Sequence, residues 1–221
     1  MASIFHLLAP DLSTGTARQL GQLVPAARSL GWNSTVCSLE STASGKSRLR
    51  HFVDVTKWCR QPMRLDPTFT IRLARMLRSC HPDLIHCWGQ HRSFSIQLAL
   101  RLSGCSRVLW SVRSEAEAKG LLASLPPRKS HTIVTNAAHL ARRLSHHQSS
   151  NGRVTMIPNS VQPMPAPEVV TPLPTLLGVS RNSIFLVAMS HLRQSKRLRD
   201  VVWAFDLLRV IRPETQLIVI G

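Results

Sequence analysis

The sequence predicts an α/β fold: a Rossmann-like doubly wound parallel sheet, followed by the first βαβ unit of a second Rossmann-like domain. Short apolar runs alternate with helical segments, which is the pattern of parallel strands joined by crossover helices. A proline-rich stretch near residue 165 interrupts the pattern, which restarts at Ser183. Hydrophobic residues make up 43% of the 221 residues and charged residues 18%, so the chain can bury a core.

The first domain is expected to contain seven strands. They are predicted at residues 3–9, 34–39, 51–55, 83–89, 107–112, 131–136 and 152–161. The first crossover helix carries apolar residues at helical spacing from Leu20 to Leu30, and Gly31 ends it. Pro67 opens a second helix that extends to Leu77. Further helices are predicted over residues 94–102 and 137–144.

Five prolines between residues 163 and 174 predict a semi-rigid connection without helix or central strand. The predicted domains are therefore 1–165, a linker at 166–181, and 182–221. The last part contains strands at 183–189 and 216–221 around a helix at 198–211. Two strands and one helix cannot cover both faces of a sheet, so we expect exposed apolar side chains there. They are expected at Val187, Val202 and Ile218.

The net charge of +17 favours nucleic acid, anionic lipid surfaces or phosphorylated ligands as partners. Tyrosine is absent and aromatic residues are only 5%, which argues against a stacking surface for single-stranded nucleic acid. Five cysteines without CxxC spacing argue against a disulfide framework or a structural zinc site. No apolar run is long enough to cross a bilayer, and the N-terminus lacks the basic region of a secretory signal. We expect a cytoplasmic location, with peripheral contact at the inner membrane face.

Two loops follow predicted strands and enter helices. The loop at residues 190–197 carries Arg193 and Lys196, which are close enough in sequence to bind one diphosphate; the alternative is a solvated basic turn. The loop after the first strand carries Gly15 and Thr16, where glycine allows close backbone approach; the alternative is a plain helix N-cap. Neither loop contains GxGxxG, which disfavours a dinucleotide-dependent oxidoreductase.

Two further side chains are candidates for the cleft. His86 lies near the end of a strand at the expected edge of the sheet, although a lone histidine there is also compatible with a structural role. Asn159 lies in the turn IPNSV, residues 157–161, where it can cap the local backbone.

The turn IPNSV, the proline-rich connection and the sequence SIFLVAMSHLRQSKRLRDVVWAFDLLRVIRPETQLIVIG together resemble the family 4 glycosyltransferases, also called glycosyl transferases group 1, of the GT-B fold. In that family a motif like IPNG closes the first domain, and a strand and a loop such as L-R-x-x-K-R open the second. Weaker similarities are DLIHCWG at 83–89 and IVTNAAHLARRL at 133–144.

The resemblance implies a hexosyltransferase-like enzyme that transfers a sugar from a nucleotide-diphosphate donor, with retention and without a metal ion or a cofactor. Arg193 and Lys196 match the family's cations on the donor diphosphate, where they would offset charge on the departing phosphate. Gly15 and Thr16 match the first-domain loop that approaches the donor. Arg113 occupies the position of a histidine that faces the reacting sugar in many members.

Two other features differ from the family pattern. Ser160 replaces the usual glycine, and Gly221 precedes the family's nucleotide-binding strands and its pair of glutamates. We therefore expect a chain truncated in its C-terminal domain, with negligible activity and poor solubility. The acceptor side of the site is expected in the first domain, and the acceptor is a glycan, a lipid or a small molecule. The alternative function is a non-catalytic basic α/β module that binds nucleic acid or an anionic membrane surface.

Overall fold

The structure is a computed structural model that describes residues 1–9, 14–39, 57–59, 66–89, 94–122, 131–147, 153–161, 163, 171–190, 192 and 194–221. The chain divides into two compact units, Met1–Gln162 and Pro163–Gly221, called unit 1 and unit 2. The predicted domain limits at residues 165 and 181 stay predictions.

Unit 1 contains a parallel sheet of seven strands in the order β3-β2-β1-β4-β5-β6-β7. The strands are β1 Ser3–Leu8, β2 Asn33–Ser38, β3 Lys57–Trp58, β4 Leu84–Trp88, β5 Val108–Val112, β6 His131–Thr135 and β7 Arg153–Met156. The order reverses between β1 and β4, as in doubly wound nucleotide-binding sheets, so the predicted fold class is confirmed. The strand predicted at 51–55 lies outside the described residues, and β3 was not predicted.

Five helices of unit 1 are described. They are α1 Thr14–Ser29, α2 Pro67–Cys80, α3 Phe94–Leu102, α4 Glu115–Leu122 and α5 Ala138–His147. The start of α2 is fixed by Asp66, whose Oδ1 accepts a hydrogen bond from the backbone N–H of Phe69 at 3.0 Å. Pro67 occupies the first helical position. Its lack of an N–H costs no hydrogen bond there, because the first N–H groups of a helix have no acceptor within the helix.

Buried apolar residues lie on both faces of the sheet, because successive side chains of a strand point to opposite faces. The larger cluster includes Phe5, Phe69 and Ile133. The smaller cluster packs α1 against β1, β2 and β4. It consists of Leu8, Ala17, Leu20, Val24, Val36 and Trp88. Of the apolar positions predicted for α1, Leu23 is 38% exposed, and Leu30 is 78% exposed because it lies beyond the last helical residue.

Unit 2 contains two parallel strands, β8 Ile184–Met189 and β9 Thr215–Ile220, joined through a 3₁₀ turn at Gln194–Lys196 and helix α7, Leu198–Ile211. Helix α7 has no buried residue. Val187 and Val202 are exposed, as predicted, whereas Ile218 is half-buried.

The proline-rich segment differs from its prediction, because residues Leu173–Leu177 form a short helix, α6, within the region predicted to lack one. Pro174 lies in the first turn, where a proline interrupts no helical hydrogen bond. The helix ends at Gly178, which adopts a left-handed conformation with φ of 64° and donates its N–H to the carbonyl of Pro174.

Candidate functional site

The candidate site lies at the carboxyl edge of the unit 1 sheet, where β1 and β4 are neighbours and the strand order reverses. Leu8 and Trp88 are paired at the ends of these two strands. In open α/β sheets, ligands bind outside the carboxyl ends of the strands at such a switch point. The residues that follow β5 and β7 meet at the same edge, because all seven strands are parallel.

Arg113 and Asn159 form the direct contact at this edge. Arg113 follows β5 immediately, and Asn159 lies in the segment after β7. Nη2 of Arg113 donates a hydrogen bond to Oδ1 of Asn159. Two residues predicted separately as cleft candidates are therefore brought together by the parallel order of β5, β6 and β7.

The indole of Trp88 lies under the guanidinium of Arg113. Cζ of Arg113 lies 5.6 Å from the centre of the Trp88 ring, within the distance of a cation–π contact. The centre of the His86 ring lies 4.3 Å from that of Trp88, and Nε2 of His86 is 2.8 Å from Oγ of Ser111. His86 is buried and also lines the cleft, so its position is compatible with a structural role and with a role in the cleft.

His6 lies beneath Trp88 and completes the cluster of rings. Nε1 of Trp88 donates to Nδ1 of His6 at 3.3 Å, which requires the proton of a neutral His6 to be on Nε2. That Nε2 is buried and has no hydrogen-bond partner among the described residues. Desolvation by burial lowers the pKa of His6 from 6.5 to about 4, so its ring is neutral near pH 7.

Glu117 supports Arg113 through the backbone. Its Oε2 accepts the backbone N–H of Arg113 at 2.6 Å, while Oγ of Ser114 accepts the N–H of Glu117 at 3.2 Å. These two bonds resemble a capping box at the start of α4. Burial raises the pKa of Glu117, and the bond from Arg113 opposes that rise. Burial lowers the pKa of Arg113, and the charge of Glu117 opposes this.

Ser160 joins the segment after β7 to α1 by hydrogen bonds. Nε2 of Gln19 donates to the carbonyl of Ser160 at 2.7 Å, and Oε1 of Gln19 accepts the N–H of Ser160 at 2.9 Å. Oγ of Ser160 also hydrogen-bonds Gln22. The serine that replaces the family's glycine therefore adds a side-chain contact to a segment that carries Asn159.

These elements border a cleft of about 800 Å³, a size suited to a small-molecule ligand. Its polar lining includes Gln19, Gln22, His86, Ser111, Arg113 and Ser160. Its apolar lining includes Ile4, Leu84, Leu109, Val134 and Ile157.

The structure also describes Gly15, Thr16 and Lys196 among the predicted site residues. Gly15 and Thr16 are in the first turn of α1, where Gly15 is exposed and Thr16 is buried. A Cβ added to Gly15 would contact none of the described residues within 4 Å, and the predicted role of Gly15 in ligand binding stays a prediction. In unit 2, Lys196 ends the 3₁₀ turn and is exposed. Arg193 lies outside the described residues.

Neither a cluster of metal ligands nor a membrane-spanning helix is found among the described residues. No group of three or more His, Cys, Asp or Glu side chains in those ranges is arranged to hold a metal ion. None of the helices found in the described parts of the chain combines the length and apolar character needed to cross a membrane.

Sequence reasoning missed Trp88, Ser111, Gln19 and Glu117. Ser114 and Glu117 carry the spacing of a capping box, which would have indicated both α4 and the carboxylate beside Arg113. Trp88 and Ser111 were assigned only to strands, and no local signal marks Gln19.

The sequence matches a known protein family over most of unit 1. The family model described as Glycosyltransferase Family 4 matches residues 13–163, which is more than half of the chain and contains Gly15, His86, Arg113 and Asn159. No curated protein matches the sequence.

Solved structures share the fold at low sequence identity. A glycosyltransferase from Rickettsia africae ESF-5 has 12% identity and a TM-score of 0.64. The match covers 100% of this chain and 69% of the Rickettsia chain. S. aureus MnaA, in a structure with UDP, has 12% identity and a TM-score of 0.59, covering 99% of this chain and 62% of its own.

HepE from Anabaena, in complex with UDP and glucose, has 14% identity and a TM-score of 0.61, covering 96% of this chain and 60% of its own. The chain thus spans 60% and 62% of the lengths of the two UDP-bound structures. These likenesses show the fold of GT-B glycosyltransferases. With its family match over residues 13–163, the chain belongs to Glycosyltransferase Family 4.

Proposed function

We propose that the chain is a transferase that moves a sugar from a nucleotide-diphosphate donor to an acceptor, and that unit 1 supplies the acceptor side of the site. The observation that carries the proposal is the contact of Arg113 with Asn159 at the carboxyl edge of the sheet, inside the matched family region. The UDP in the MnaA structure and the UDP and glucose in the HepE structure support a nucleotide-sugar donor.

In the proposed reaction, an acceptor hydroxyl oxygen bonds to the anomeric carbon as the bond from that carbon to the donor phosphate breaks. The nucleoside diphosphate departs with the bonding electrons, and its departing phosphate oxygen takes the hydroxyl proton. Arg193 and Lys196 would offset the charge that develops on this leaving group, so no metal ion and no cofactor is assigned to the step. Retention of configuration is part of the proposal and rests on the family resemblance.

The exposure of Lys196 is compatible with a ligand contact from the second unit. We also propose that the 221-residue chain on its own turns over donor at a negligible rate. Unit 2 pairs only two described strands, and α7 buries none of its side chains, so its donor-side surface lacks the packing that would hold a bound donor in one reactive geometry. The proposed location is the cytoplasm, with peripheral contact at an anionic membrane surface on its inner face.

Donor binding and turnover test these statements separately. Saturation-transfer NMR with UDP, GDP and their sugar derivatives should detect binding of a nucleotide sugar, with glucose alone as the control. A coupled assay for nucleoside diphosphate release should give no more than trace turnover. Binding by none of the nucleotides would remove the proposed function, whereas turnover at an ordinary enzymatic rate would refute only the proposed inactivity.

A non-catalytic basic module is the second candidate, favoured by the charge distribution of unit 1. The four acidic residues in the described ranges of this unit, Asp66, Asp83, Glu115 and Glu117, all have hydrogen-bond or ion-pair partners. Basic residues far outnumber these four acids in the same ranges, and the chain as a whole carries a net charge of +17. Binding to anionic vesicles or to RNA, combined with no binding of any nucleotide sugar, would favour this candidate.

A further inference from the structure

The surroundings of Arg113 indicate which kind of ligand its side chain binds. Its side chain is half-buried, and burial opposes its charge. No carboxylate of the described residues forms an ion pair with its guanidinium, because Glu117 contacts its backbone N–H instead. A half-buried cation without an ion-pair partner is costly unless a ligand supplies the opposite charge.

The guanidinium is also held in one orientation. It lies over Trp88 at 5.6 Å, and Nη2 donates to Asn159. A guanidinium has five N–H donors, and the Asn159 contact uses one of them. The other donors of Arg113 have no partner among the described residues, and the cleft lining includes this residue. A fixed planar group with free donors matches the geometry of a carboxylate or a phosphoryl group.

The imidazoles near Arg113 supply no negative charge. His6 is neutral near pH 7, and His86 is buried beside Ser111. Glu117 is the nearby acid, with its Oε2 bound to the backbone N–H of Arg113. The charge of Glu117 offsets only part of the cost of burying Arg113, whose pKa stays below its usual value because burial is the larger effect, so an anionic ligand is favoured over a neutral one.

We propose that Arg113 is an oxyanion-binding residue, whose guanidinium, held by Trp88 and Asn159, takes a phosphoryl or carboxylate group of a small-molecule ligand in the unit 1 cleft. The naming of that ligand as a substrate rests on the proposed function, but the binding of an oxyanion does not. The group belongs either to the diphosphate of the donor or to an acidic group of the acceptor.

Trp88 provides a direct readout, because an anion on Arg113 changes the electric field at the indole. The full 221-residue chain is titrated with pyrophosphate, inorganic phosphate, UDP and glucuronate at fixed ionic strength, and its tryptophan fluorescence is recorded. Neutral glucose is the control ligand. Trp88→Phe should remove the ligand-dependent change in fluorescence. The other four of the chain's five tryptophans remain in this variant.

Three variants decide the proposal. Arg113→Gln should weaken the apparent affinity for the best oxyanion by about tenfold or more, which corresponds to the loss of a charge-assisted hydrogen bond. Arg113→Lys keeps the charge but loses the planar donor set, so an intermediate loss is expected. Arg101→Gln, at an exposed arginine of α3, should change the affinity by less than about twofold. Circular dichroism confirms that each variant is folded.

The ligand series distinguishes the two sources. A response to pyrophosphate and UDP without a response to glucuronate assigns the donor diphosphate, and a response to glucuronate assigns an acidic acceptor. The proposal is overturned by equal affinity in Arg113→Gln, by an equal loss in Arg101→Gln, or by the absence of any fluorescence change up to the solubility limit of each oxyanion. Oxyanion binding through Arg113 without nucleotide-sugar binding would remove the proposed function and leave this inference intact.

Discussion

Asn159 accepts a hydrogen bond from the guanidinium of Arg113, which lies 46 residues away in sequence. This bond connects the end of β5 to the segment after β7. Because the acceptor is neutral, the bond orients the guanidinium without cancelling its charge. Trp88 constrains the same group from below. The positions of three parallel strands thus determine where one positive charge is presented.

Asn159→Ala is predicted to weaken oxyanion binding by about two- to tenfold, the range expected for the loss of one hydrogen bond. The loss should be smaller than that of Arg113→Gln, because the charge remains. The fluorescence titration with pyrophosphate measures it. Asn182→Ala, in an exposed turn of unit 2, is the matched control and should have no effect. A loss in Asn159→Ala equal to that in Arg113→Gln would mean that Asn159 itself contacts the ligand.

His6 is predicted to make the stability of unit 1 depend on pH below 6.5. The folded state holds the ring neutral, with a pKa of about 4 against 6.5, so protonation favours the unfolded chain. The stabilising contribution is present above pH 6.5 and is lost as the pH falls toward 4. Between pH 7.5 and pH 5 the free energy of unfolding should fall by about 2 kcal/mol because of this residue.

The non-titrating variant His6→Gln isolates this effect. Urea unfolding of both proteins at pH 7.5 and pH 5 should show a smaller decrease in the variant, since other titrating groups contribute equally to both. Identical pH dependence in the two proteins would show that His6 is not held neutral.

Sequence patterns could predict the strands that are buried on both faces, because such strands are short, apolar and bounded by helices. The runs around Leu7, Ile85 and Ile133 are of this kind, and all three are buried. Strand β3 has only two residues, too few for a periodic signal. Proline density alone predicts no helix at residues 173–177. Helix α6 forms there because Pro174 lies in the first turn, where a proline interrupts no helical hydrogen bond.

The candidate site was predictable in part. The sequence predicts His86 and Asn159 at the cleft, since residues that follow parallel strands share one edge, whereas Arg113 is a candidate through the family resemblance. Their contacts were not predictable, because the contact of Arg113 with Asn159 depends on strand order and register across the sheet. The stacking of His86 on Trp88 likewise depends on two residues of one strand face and on rotamers that no sequence period encodes.

Phe69→Ala is predicted to destabilise unit 1 by about 3–5 kcal/mol, because the side chain is 0% exposed and lies in the larger core cluster. Phe94 is the matched control, since it is 48% exposed at the start of α3. Phe94→Ala should cost less than about 1 kcal/mol. Chemical denaturation followed by circular dichroism compares the two, and equal losses would contradict the assigned position of α2 in the core.

Unit 2 is predicted to drive self-association of the 221-residue chain through α7. Trp203 is 67% exposed and Val210 is 82% exposed on this helix, an apolar surface larger than isolated exposed residues produce. The double variant Trp203→Gln with Val210→Gln should remain monomeric to a higher concentration in light scattering. Arg209→Gln, on the same helix, should not improve solubility. Unchanged association in the double variant would place the contact elsewhere.

The final prediction concerns the basic turn of unit 2, and it depends on the proposed function. Lys196→Ala should weaken donor binding by about tenfold if its ammonium group meets the donor diphosphate, and Arg193→Ala should do the same. Arg199 is the matched control, because it is exposed on α7 beyond the turn. Arg197 is a second control, since its guanidinium lies 2.5 Å from Asp200 and is already paired at the surface. Binding of the best nucleotide sugar to all four alanine variants is compared by calorimetry at two salt concentrations. A loss confined to the first two variants and retained at the higher salt supports a diphosphate contact, whereas equal small losses at all four positions, abolished by salt, would identify the turn as a basic surface only.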